Sequence, residues 1–177
     1  PHTDCQGNIA VVHNGIIENA AELRAQLEAN GHVFRSDTDT EVLAHLIEAA
    51  GESELEAGVR RALGAIQGTY GIAVVDARQP DRIVAARNGS PVVIGLGEHE
   101  MFVASDVAAL VRHTQQVVYL DDREIATVNA EGFRTTTLDD TPTSKSPATV
   151  QWGYEAYDRG RYQHFMLKEI MEQGEAC

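Results

Sequence analysis

Apolar positions along the chain fall into two textures, helical before Gly68 and strand-like after it. Gly7 to Val12 reads as a buried strand, followed by a turn signal at His13-Asn14-Gly15. Asn19 with Glu22 has the form of a capping box, and Leu23 and Leu27 keep a helical spacing until Gly31. His32 to Arg35 is expected as a short strand. Thr38 and Glu41 form a second box before Val42, Leu43, Leu46 and Ile47, with Gly51 as the stop. Ser53 and Glu56 form a third, ahead of Leu55, Val59, Leu63 and Ile66. Tyr70–Val75, Arg82–Ala86, Pro91–Leu96, Met101–Ala104 and Gln116–Leu120 are short β-rich runs, interrupted by a short helix at Val107–Val111. Glu124–Asn129 and Phe133–Leu138 flank Ala130-Glu131-Gly132 as a hairpin. Asp139 to Pro147 is polar and rich in Pro and Ser, so 139–153 is expected as a linker; Tyr162 to Gln173 is helical in pattern. The layout is α+β, helices over mainly antiparallel sheet.

Length and charge narrow the partners. The 177 residues make room for one domain with a sizeable core. With 27 acidic against 14 basic residues the formal charge is −13, which repels phosphate backbones, so no nucleic acid partner is expected. Apolar runs such as Ile72-Ala73-Val74-Val75 fall far short of the roughly 20 residues of a membrane span. Pro1-His2-Thr3-Asp4 has neither a basic start nor an apolar core of a leader. No membrane association and a cytoplasmic location are therefore expected. Cys5 and Cys177 stand at opposite ends and make no disulfide framework. The seven histidines include no i, i+4 pair and both cysteines are isolated, so no metal and no cofactor are expected. Gly95-Leu96-Gly97 lacks the rest of a dinucleotide fingerprint and reads as turn punctuation.

Two segments can carry chemistry. His13-Asn14-Gly15 is a hairpin signal, but the residues that follow lead quickly into a capped helix, leaving little room for a second strand. A strand ending in Asn14-Gly15 can instead present a side-chain amide and a backbone N–H together, two donors suited to an oxyanion hole. Ser36-Asp37-Thr38-Asp39-Thr40-Glu41 places three acids at a helix start, where the dipole favours one or two. A spare carboxylate there could hold a substrate ammonium. Cys5 has no cationic neighbour in sequence and is expected to be structural.

Several segments resemble one family in order: Asn8 to Asn19, Ser36 to Val42, Gly68-Thr69-Tyr70-Gly71, Ala85 to Pro91 with Ile94 to Gly97, Ala104-Ser105-Asp106, and Tyr162 to Gln173. Together they are similar to the class II glutamine amidotransferase domain of the glutamine–fructose-6-phosphate aminotransferases. The resemblance implies an N-terminal-nucleophile hydrolase-like αββα sandwich, incomplete at the N-terminus, with residues 1–177 forming a partial amidotransferase domain. It implies that an N-terminal Cys attacks the side-chain amide of L-glutamine and releases ammonia, with its own α-amino group as base. That Cys is expected upstream of Pro1, since Cys5 and Cys177 match no catalytic position. Carried over by position, Asn14 and Gly15 form the oxyanion hole, Asp39 holds the substrate α-ammonium, and His2 stands at the rim of the glutamine pocket. Residues 154–177 would lead towards an absent sugar isomerase domain, and the full-length protein would be a homodimer making glucosamine 6-phosphate. The alternatives are a fragment of an amidophosphoribosyltransferase or asparagine synthetase type enzyme, which share the Asn-Gly element, and a non-catalytic interaction fragment.

Overall fold

The computed structural model describes residues 1–150 and, beyond them, 163–164, 166–167 and 170–171. The expected helix from Tyr162 to Gln173 and Cys177 therefore lie largely outside the described residues. The chain runs β1 (His2–Thr3), β2 (Ile9–Ile17), α1 (Ala20–Ala29), α2 (Asp39–Ala50), α3 (Leu55–Ala65), β3 (Gly68–Asp76), β4 (Arg82–Asn88), β5 (Val93–Leu96), β6 (Met101–Ala104), β7 (Gln116–Tyr119), β8 (Glu124–Asn129), β9 (Gly132–Thr137), β10 (Pro142–Thr143) and β11 (Ala148–Thr149). One sheet has seven strands in the order β1-β2-β3-β4-β8-β9-β10, and the other has four in the order β11-β7-β5-β6. All of these strand pairs are antiparallel.

Burial sorts the layers. The three helices bury Leu23, Leu27, Leu43, Ile47, Val59 and Leu63 against Val11, Ile72, Val74 and Val84 of the seven-stranded sheet. The opposite face of that sheet offers Ala85, Ala126 and Val128 to Ile94 and Val118 of the smaller sheet and to Val92 and Leu120, which adjoin its strands. The period-two alternation of β4 and β8 makes both packings possible, since successive side chains serve opposite layers. On the outer face of the smaller sheet, the described residues contribute a 3-10 turn at Val107–Ala109, shorter than the expected Val107–Val111 helix, and Leu110 packs with Val93 and Val117. The polar stretch after Asp139 runs from one sheet to the other. Pro142 and Thr143 pair with Thr136 and Thr135, Ala148 and Thr149 pair with Val117 and Gln116, and Lys145 bridges Asp121 and Glu124.

Three local expectations are corrected. His13-Asn14-Gly15 is no turn: β2 continues through it to Ile17, in unbroken register with β3 from Ile9↔Asp76 to Ile17↔Gly68. Gly15 allows this because its φ of +135° is open to glycine, and a Cβ there would stand 2.2 Å from the Thr69 carbonyl oxygen. Residues 32–35 form no strand. The three capping boxes do not close, for none of the helices has a side-chain bond from Asn19, Thr38 or Glu54, its N-cap residue. Asn19 instead accepts from the Gln67 amide and donates to the Ala65 carbonyl. Glu56 is drawn to Thr127, Arg60 and Arg134, fastening α3 to the far half of the sheet.

Leu43 is fully buried at the centre of the helix layer, whereas Leu46 is half-buried at its margin. Leu43→Ala is expected to lower the urea unfolding free energy by about 2–5 kcal/mol. Leu46→Ala should cost distinctly less in the same titration.

Candidate active site

Among the described residues, strand β2 has only a partial neighbour on its outer edge. β1 covers Ala10 and Val11, and the rest of the edge extends past it. Backbone N–H groups alternate sides along an extended strand. The Glu18 amide bonds Gln67 inward, and the Ile17 amide bonds outward, to Asp39 Oδ2 at 2.9 Å. Two residues back, the Gly15 amide therefore faces the same outer edge as the Asp39 carboxylate. The Gly15 amide and the Asp39 carboxylate thus share one edge of β2, with Ile17 two residues beyond Gly15 as the bonded member.

Side chains of β2 divide between two faces. His13 looks to the helices: its Nε2 lies 3.3 Å from the Thr69 carbonyl oxygen and its Nδ1 3.2 Å from Thr40 Oγ1. A carbonyl can only accept, so Nε2 carries the proton and the Thr40 hydroxyl donates to Nδ1. Asn14 looks the other way, into a cavity of about 130 Å³ between the two sheets, walled by Val12, Ala73, Pro91, Val103 and Ala104 among others. Asp39 does not line this cavity. It sits beside the strand edge, bonded to the Ile17 amide. A larger cavity of about 390 Å³ lies elsewhere, by Val75, Arg82, Met101 and Val128, and gathers none of the candidate residues.

The start of α2 is braced by Glu41. Its carboxylate accepts from the amides of Arg35 and Ser36 at 2.7 Å each and from the Ser36 hydroxyl at 2.6 Å. Burial by itself would raise its pKa, but the Ser36 hydroxyl and the two amides outweigh it and hold the carboxyl at about 2. Since Ser36 spends its proton on Glu41, its oxygen accepts from His2 Nδ1 at 3.3 Å, while His2 Nε2 takes the Thr38 hydroxyl at 3.2 Å. His2 thus stands against the segment that presents Asp39, with β1 holding it there. Cys5 is elsewhere. It lies in the turn before β2, with about 16 Å of extended strand between Ile9 and Asn14. Burial pushes its thiol pKa up, the opposite of an activated nucleophile.

Two antiparallel sheets packed face to face, with helices over the larger one, form the fold that this chain shares with solved amidotransferases. The chain belongs to the glutamine amidotransferase domain family, which it matches over residues 1–112. It is 51 % identical over 176 residues to the glutamine–fructose-6-phosphate aminotransferase (isomerizing) of Symbiobacterium thermophilum, covering 99 % of this chain and 29 % of that protein. It is 48 % identical over 178 residues to the same-named protein of Methanothermobacter thermautotrophicus, covering 99 % of this chain and 30 % of the relative. The chain thus spans less than a third of these relatives. Among solved structures, it resembles the B. subtilis glutamine phosphoribosylpyrophosphate amidotransferase complexed with ADP and GMP, with a TM-score of 0.64 at 30 % identity over 73 % of this chain and 29 % of that one.

The depressed pKa of Glu41 links the site to acid stability. A carboxyl held below its unfolded value adds stability above that value and loses it as pH falls through the folded one. From the ordinary 4.5 down to about 2, the contribution is on the order of 3 kcal/mol. Glu41→Gln should lower the unfolding free energy at pH 7 and flatten its decline between about pH 5 and pH 2, read from urea midpoints across that range.

Proposed function

We propose that this domain hydrolyses the side-chain amide of L-glutamine and delivers ammonia to a sugar isomerase domain, for the synthesis of glucosamine 6-phosphate from fructose 6-phosphate. The observation that carries the reading is that the Asp39 carboxylate bonds the Ile17 amide on the same edge of β2 that the Gly15 amide faces. Asp39 uses one oxygen on Ile17 and directs negative charge to the place where a substrate α-ammonium would sit. Asn14 and Gly15 supply the donors for the oxyanion of the tetrahedral intermediate. His2 shapes the rim through Ser36 and Thr38. The nucleophile is an N-terminal Cys outside these 177 residues, because Cys5 stands at the far end of β2 with a raised pKa. Val12 and Ile16, which flank Asn14 on its face of the strand, are 49 % and 67 % exposed. They offer the apolar surface on which a strand carrying that Cys would pack.

Identity of 51 % across 99 % of the chain favours the aminosugar branch over the phosphoribosyl branch, whose solved relative shares 30 % over 73 %. The full-length protein is read as a cytoplasmic homodimer. Among the described residues no helix is long and apolar enough to cross a membrane.

The 177-residue chain alone should release no ammonia from glutamine above background. Turnover of about 1 s⁻¹ or more would place the nucleophile within it and overturn the assignment. In a full-length protein carrying these residues, Asn14→Ala should lower glutaminase kcat by roughly 10²–10³-fold, with little change in melting temperature. Asp39→Asn should raise KM for glutamine by roughly 10–150-fold. The asparagine carbonyl can still accept from Ile17, so the fold survives while the charge is lost. Asp37→Asn, at a fully exposed side chain 3.9 Å from Arg24, is the control and should change KM little. Equal effects at Asp37 and Asp39 would show that the two act only through the helix dipole.

A further inference from the structure

Away from the strand edge, four side chains far apart in sequence meet between the β1–β2 turn, the loop after α1 and the second half of α2. Cys5 Sγ lies 3.6 Å from His32 Nδ1 and 3.5 Å from His45 Nδ1. Glu48 Oε2 lies 3.0 Å from His32 Nδ1 and 3.4 Å from His45 Nδ1. All four atoms fall within 4.8 Å of one another. We infer that Cys5, His32, His45 and Glu48 form a binding site for one zinc-like divalent cation.

The edges of the cluster have the dimensions of a tetrahedron around such an ion. Zinc held at about 2.3 Å from sulfur and about 2.0–2.1 Å from nitrogen or oxygen requires S···N edges of about 3.6 Å and N···O edges of about 3.4 Å. Both S···N separations and the His45–Glu48 separation match; the His32–Glu48 edge is shorter. One sulfur, two imidazole nitrogens and one carboxylate oxygen form a donor set suited to zinc rather than to magnesium or calcium. With a thiolate, a carboxylate and two neutral imidazoles, a dication leaves no net charge in a partly buried place.

The surroundings fit the same occupant. The Val33 amide lies 3.5 Å from Cys5 Sγ and donates to it, as suits a thiolate. His45 is fully buried, and its Nε2 has no hydrogen-bond partner, with Glu41 Oε1 3.5 Å away as the nearest charge. A proton on that nitrogen, on the side of Glu41, leaves the Nδ1 lone pair facing the cluster. Cys5, His32 and Glu48 are each partly exposed, which gives an ion a way in. Four protein ligands close the sphere, so the ion would be structural, joining α2 to the two loops.

The competing arrangement is a metal-free network in which the Cys5 thiol donates to one imidazole and the other donates to Glu48. Cobalt(II) titration of the reduced, chelator-stripped 177-residue chain separates the two. The expected result is saturation at one equivalent, with tetrahedral visible bands and a thiolate-to-cobalt charge-transfer band, all displaced by zinc and not by magnesium. Cys5→Ser should abolish the charge-transfer band and Cys177→Ser should keep it, while His32→Ala should lose stoichiometric binding. Absence of the bands in the unaltered chain, or a charge-transfer band that survives Cys5→Ser, would overturn the assignment. The titration of the unaltered chain and the Cys177→Ser control decide it even if a ligand variant folds poorly.

Discussion

The carboxylate of Asp39 on the backbone amide of Ile17 holds the free edge of β2 to the first turn of α2. An edge amide needs an acceptor, and beyond Val11 no strand among the described residues pairs with the outer edge to supply one. Asp39 satisfies Ile17 with one oxygen, and the Gly15 amide lies two residues back on the same edge. The neighbouring contacts reinforce the junction. Thr40 meets His13, Glu41 organises Arg35 and Ser36, and Ser36 and Thr38 take up His2. Each residue from Ser36 to Glu41 except Asp37 thereby contributes to fixing α2 against β1 and β2.

The cost of this arrangement is local. A helix start normally closes on its own side chains, and the sequence of α2 carries the Thr-Glu spacing to do so. Glu41 turns away instead and satisfies two loop amides and a hydroxyl, exchanging one capping bond for three charge-assisted ones. Glu56 makes the same exchange in α3, where its bonds to Thr127 and Arg134 reach across to β8 and β9. Tertiary partners win because a buried carboxylate without enough donors would lose far more than a cap contributes.

That competition explains what was legible in the sequence. The β runs from Gly68 onward were readable because side-chain alternation and Gly, Pro and Asp punctuation are local signals. Helix positions were readable from apolar spacing, yet their caps were not, since a capping box looks the same whether its acid bonds backward or outward. His13-Asn14-Gly15 read as a turn because Asn-Gly is the strongest short hairpin signal. Only the pairing of β3, some fifty residues later, keeps it extended. The donor pair at Asn14-Gly15 and a spare carboxylate in the Ser36–Glu41 run were readable from the residues themselves, whereas the choice of Asp39 within that run and the place of His2 came only by resemblance to a family. The Cys5–His32–His45–Glu48 cluster left one local trace, a His-x-x-Glu spacing that sets both side chains on one helix face. Its other members come from loops that only the fold brings near.

Helix α2 is therefore engaged at both ends by different chemistry. Its first turn meets the end of β2 through Asp39 and Thr40, and its last turns meet the turn before β2 through His45 and Glu48. Glu41 lies between them, touching the Ser36 loop on one side and His45 on the other. A strand with little sheet on its outer edge needs such bracing if the donors it carries are to keep a fixed position, which is what the proposed oxyanion role would demand of it. The arrangement places the rigidity in a helix packed along the strand rather than in further strand pairing. The edge beyond β1 is thereby fixed from the helix side alone.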